Sequence, residues 1–105
     1  MTEDQQVEQS IKLISSHFSI PDEELAIQDN TFLLLEKRLT SIVGYLLDKD
    51  MNRLLNSLYR IDLNESLFKK ILTEEPPENL SRRIAREIIN RELQKVQTRA
   101  KYSGS

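Results

Sequence analysis

The chain contains no cysteine and no tryptophan, and among its 105 residues there are only 2 glycines, 3 prolines and 1 histidine. Without cysteine there is no disulfide framework and no thiolate to act as nucleophile or ligand, which suits a reducing compartment. His17, alone, cannot assemble a Cys–His pair or a His-rich metal site within one chain. The glycines stand at positions 44 and 104, too far apart to form a phosphate-binding loop. The longest apolar stretch, "FLLLEKRLTSIVGYLL", is interrupted by Glu36, Lys37 and Arg38, which rules it out as a membrane span. The opening "MTEDQQVEQS" lacks the basic and apolar regions of a secretory leader. Together these gaps predict a cytoplasmic protein with no catalytic residue, metal or cofactor. The carboxylate pairs Glu23/Glu24, Asp48/Asp50 and Glu74/Glu75 fall at expected helix ends or in loops, not in a desolvated pocket where a general acid is tuned.

Scarce turn formers imply long regular elements, and no useful length of the chain alternates with the period of a strand. Thr2-Glu3-Asp4-Gln5 has the form of a capping box. Val7, Ile11, Ile14 and Phe18 then recur at helical spacing, so a first helix is expected to run to about Phe18 and stop before Pro21. "PDEELAIQ" predicts a short helical turn. A second helix is expected to start near Asp29, Asn30 or Thr31. Its apolar stripe, Phe32, Leu35, Leu39, Ile42 and Leu46 widened by Leu33, Leu34, Val43 and Leu47, marks it as central. Gly44 within it costs about 1 kcal/mol relative to alanine, which a close helix crossing or drift at a permissive position would equally explain.

Two acidic runs, beginning at Asp48 and Asp62, open like the ligand segments of calcium loops. Such a loop needs glycine at its sixth position and glutamate at its twelfth. From Asp48 those positions hold Arg53 and Tyr59; from Asp62 they hold Leu67 and Thr73. The acids are therefore read as helix starts. Asp48 or Asp50 would cap a helix carrying Met51, Leu54, Leu55, Leu58 and Tyr59, and Asp62 with Glu65 would open another with Leu67, Phe68, Ile71 and Leu72. The tandem prolines of "TEEPPEN" end that helix, and a last helix is expected from Glu78 or Leu80 to Lys101.

Charge is unevenly spread. Residues 1–79 hold 15 acids against 8 lysines and arginines, a balance of −7, whereas residues 80–105 hold 7 cations against 2 acids, a balance of +5. In the last helix Leu80, Ile84 and Ile88 form a column that continues as Arg91, Lys95 and Arg99, while Ile89, Leu93, Val96 and Ala100 form a second seam. Arg82, Arg83 and Arg86 lie on another side. These six cations are the expected partner-binding surface; they suit an anion, a nucleic acid, or the acidic half of the chain itself. No aromatic interleaves them before Tyr102, so a base-stacking platform is not supported.

"LLNSLYRIDLNESL" and "LSRRIAREIINRELQKVQTR" resemble a group of short bacterial helical proteins. The resemblance spans the last two-thirds of the chain and rests on capping and packing residues. It implies a helical fold and brings no activity, cofactor or catalytic residue. The expectation is thus an all-α compact bundle of about five helices over residues 1–101, with long first, second and last helices and a flexible tail at 102–105. Its end seams would pair within the chain or across a two-fold dimer. It is expected to act as a non-enzymatic protein-interaction or regulatory module, binding itself and another protein, with nucleic-acid binding as the alternative.

Overall fold

The computed structural model describes residues 2–103. They form five α-helices, α1 (Glu3–Phe18), α2 (Phe32–Lys49), α3 (Met51–Arg60), α4 (Glu65–Glu74) and α5 (Pro77–Ser103), with a short 3₁₀ helix at Asp22–Leu25 and no strand among the described residues. The all-α bundle follows from the caps as much as from the stripes. The Thr2 hydroxyl accepts from the Gln5 amide at 3.2 Å while Gln5 Oε1 accepts from the Thr2 amide at 3.1 Å, a complete capping box. Thr31, of the three candidates, caps α2.

Asp50 alone separates α2 from α3. Its amide donates to Leu46 O at 2.8 Å, closing one helix, and its carboxylate accepts from Arg53 N at 3.1 Å, opening the next. Asp48, by contrast, lies inside α2. At the following turn the expectation of an Asp62 cap is corrected. Asn64 caps α4, accepting from Leu67 N at 3.1 Å, while Asp62 turns the chain with φ 62. Asparagine and aspartate tolerate that left-handed geometry better than bulkier residues. Ile61, which ends α3 just before this turn, is fully buried.

The prolines also act more finely than expected. Glu75 is extended, as the residue before a proline prefers to be, so α4 stops at Glu74. Pro77 is the first residue of α5, a position its fixed φ favours, so the helix starts one residue ahead of Glu78. It also runs past Lys101 through Tyr102 to Ser103; Gly104 and Ser105 lie outside the described residues.

Helix α2 packs against α5, α3, α1 and the 3₁₀ helix, as a broad stripe requires, and α5 packs against α2, α1 and α4. At the α2–α5 crossing a Cβ on Gly44 would sit 3.2 Å from Ser81 Oγ, so the glycine allows the close approach. The core holds Leu35, Leu39, Val43, Ile84 and Ile88, with Val7, Ile14 and Phe18 of α1 laid over it. The seams of α1 and α5 therefore find cover within one chain. Helices α3 and α4 do not pair closely with each other. Helix α3 leans on α2 and α1, α4 leans on α5, and the space between them stays partly open. No helix among the described residues is long and apolar enough to cross a membrane.

Candidate functional site

The six expected cations are drawn apart by their partners. Arg86 Nε reaches Glu36 of α2 at 2.8 Å, and Arg91 reaches Asp62 of the α3–α4 turn at 3.3 Å. Arg83 pairs with Glu87 at 3.2 Å and Lys95 with Glu92 at 3.5 Å, the four-apart and three-apart couplings that helical spacing favours. Arg91, Lys95 and Arg99 do line one shallow groove with Gln94 and Thr98. Arg86 instead faces a separate hollow beside Phe32 and Leu93, and Arg82 is exposed. The more exposed pairs, Arg86–Glu36, Arg91–Asp62 and Arg83–Glu87, contribute about 0–1 kcal/mol each, so they orient side chains more than they hold the fold together.

One carboxylate sits within α5 on its inner side. Glu92 is fully buried, in the column that runs Ile88, Glu92, Val96. His17 Nδ1 approaches its Oε1 at 3.1 Å from the last turn of α1, and Lys95 Nζ lies 3.5 Å away. Glu92 Oε2 and Arg91 Nε are buried without a hydrogen-bond partner among the described residues. The signal was present in the spacing: a residue four after Ile88 and four before Val96 falls on the buried side, whatever its charge.

The same end of α1 is tied down by α3. Arg53 donates to Phe18 O and Ser19 O, both at 3.0 Å, and Arg60 donates to His17 O at 3.4 Å and Ser19 Oγ at 2.9 Å. Two guanidinium groups thus satisfy the free carbonyls of a helix C-terminus, where cations are favoured. Ser19 itself closes α1 with φ 54.

The open space between α3 and α4 is the least expected feature. Leu55, Leu58, Tyr59, Leu63 and Phe68 line it, with Glu65 at its rim. Tyr59 is 87% exposed, Leu55 42% and Met51 38%, and the three stand four residues apart along one line of α3. Leu72 of α4 is also exposed. Scattered apolar side chains on a surface are ordinary, but an aligned row beside an apolar groove is the pattern of an interaction site. The sequence placed these residues on two short helices; it did not show that α3 and α4 would lean on different neighbours and leave one side of α3 bare.

Among the described residues no group of three or more His, Cys, Asp or Glu side chains is gathered as a metal ion would require. Asp50 and Asp62 are occupied as a helix cap and as an ion-pair partner. Compared with known proteins, the chain matches no family model, no curated protein and no solved structure.

Proposed function

We propose that this chain is a non-enzymatic protein-interaction module that engages its partner through the α3–α4 face. One observation carries the reading: Met51, Leu55 and Tyr59 form an exposed apolar row on α3 beside an apolar groove. Holding such a row in water forgoes about 25 cal/mol for each Å² of apolar surface that a contact would bury. Among the described residues Glu92 is the one fully buried charged residue, and solvent does not reach it. That placement suits a structural role better than turnover of a substrate.

The alternative is nucleic-acid binding along the groove that Arg91, Lys95 and Arg99 line. It is weakened by the pairs that Arg86, Arg91 and Lys95 already make with carboxylates of the same chain. The test is affinity capture from the native cells with the wild-type chain and with the Leu55→Gln/Tyr59→Ser variant. A protein retained by the wild type and lost from the variant is expected. Identical sets of captured proteins would overturn the assignment of this face.

A further inference from the structure

We infer that the hollow bounded by α2, α3 and the 3₁₀ helix binds a small organic anion, a singly charged carboxylate with an apolar body. The hollow shares no lining residue with the α3–α4 groove, so its occupancy is independent of how that face is used.

The charge argues for an anion. Arg38 of α2 and Arg53 of α3 both line the hollow. Neither enters an ion pair among the described residues, unlike Arg83, Arg86, Arg91 and Lys95 of α5. Their hydrogen bonds occupy only part of each guanidinium. Arg38 donates through Nε to Glu24 O, and Arg53 donates through Nη2 to Phe18 O and Ser19 O. Both Nη groups of Arg38, and the Nε and Nη1 of Arg53, make no other hydrogen bond among the described residues. The bonds already made hold the two side chains in place before a ligand arrives, which lowers the cost of ordering them. A guanidinium presents paired N–H groups that match the two oxygens of a carboxylate. Exposed Tyr45 beside them adds a phenolic O–H.

The rest of the hollow sets the class of anion. Its volume is about 460 Å³, within the roughly 300–1,000 Å³ of sites that take small molecules. Ile20, Ile42 and Leu46 supply apolar lining backed by the core. Arg38, Ser41, Ile42 and Tyr45 share one face of α2 by their spacing, so charged and apolar parts stand side by side on one helix. Glu24 lines the hollow as well and pairs with neither arginine. Two cations against one carboxylate leave one net positive charge, which balances a monoanion and disfavours a doubly charged phosphate ester.

The test is a titration of the isotope-labelled full chain with phenylacetate, neutral phenylacetamide and phenyl phosphate, followed by amide chemical shifts. Phenylacetate is expected to move amides around residues 20–24, 38–46 and 53 and to saturate with a Kd of about 1 mM. Phenylacetamide should bind about tenfold weaker, and phenyl phosphate more weakly than phenylacetate. Arg38→Gln should weaken phenylacetate binding about tenfold. Ser41→Trp, an exposed change that keeps both arginines, should block the hollow to a similar degree. Circular dichroism checks the folding of both variants. Glu24→Gln should tighten phenyl phosphate more than phenylacetate. Shifts that do not saturate by about 50 mM phenylacetate, or equal binding of phenylacetamide, would overturn the anion site. Undiminished binding by both variants would place the ligand elsewhere and overturn the hollow. Phenyl phosphate binding tighter than phenylacetate would overturn the singly charged class and assign the hollow to phosphate esters.

Discussion

Glu92 carries the sharpest energetic question in the molecule. A buried carboxylate gives up hydration that its partners must restore, and the loss often exceeds the gain from pairing. Here one oxygen has His17 and Lys95 near it and the other has no partner among the described residues. The partners are a quarter exposed, at 25% and 24%, so they keep contact with water when the carboxylate is removed. The two ends of the contact therefore respond differently. His17→Ala strands the carboxylate and is expected to cost about 1–2 kcal/mol. Glu92→Leu removes the buried charge and fills similar space, so it should be neutral or stabilising by about 1 kcal/mol. Urea denaturation of the two variants decides it; a larger loss for Glu92→Leu than for His17→Ala would show the carboxylate to be a net support of the fold. The position was legible as buried from its spacing, but its partner from α1 was not, since 75 residues separate His17 from Glu92.

At the scale of the helices, capping chemistry decides boundaries that periodicity leaves loose. Asp50 and Asn64 each bind a free amide of the helix they open, so Asp50→Ala and Asn64→Ala are each expected to cost about 1 kcal/mol. Asp62 makes an exposed ion pair and holds a left-handed φ, so Asp62→Gly exchanges a weak contact for relief at φ 62. It should lie within about 0.5 kcal/mol of wild type. Thermal melts of the three variants separate the roles; an Asp62→Gly loss as large as that of Asp50→Ala would mean the turn depends on that carboxylate. Asp50 was one of two expected caps for α3, beside Asp48, whereas Asn64 was not expected, Asp62 having been read as the start of α4. Local residue type does not decide between Asp62 and Asn64, because both are good caps. Likewise the arginines that close α1 come from α3, and nothing local to "SSHFS" foretells them.

Across the whole molecule, the charge asymmetry seen in the sequence is partly spent inside the fold. Arg86 on Glu36 and Arg91 on Asp62 dock the basic helix onto the acidic body. If Arg91, Lys95, Arg99 and their neighbours tracked a phosphate backbone, duplex affinity would fall with salt at a log–log slope of about −3 to −5. The expected outcome is no such binding at low ionic strength, measured by anisotropy with labelled duplex DNA; a slope in that range would favour the nucleic-acid reading. The end seams of α1 and α5, which suggested a dimer, meet within one chain, so a dimer would need another face. Light scattering is expected to return the mass of one chain.

The helical class, the central α2, a cap at Asp48 or Asp50 and the break at the tandem prolines were determined by the sequence alone. Each depends on residues within a turn or two of one another, where spacing and backbone chemistry act directly. The partners of the cations, the burial of Glu92 against His17 and the bare side of α3 were decided only by the tertiary structure. Those depend on which helices lean together, and the choice comes from how all the apolar stripes share one small core.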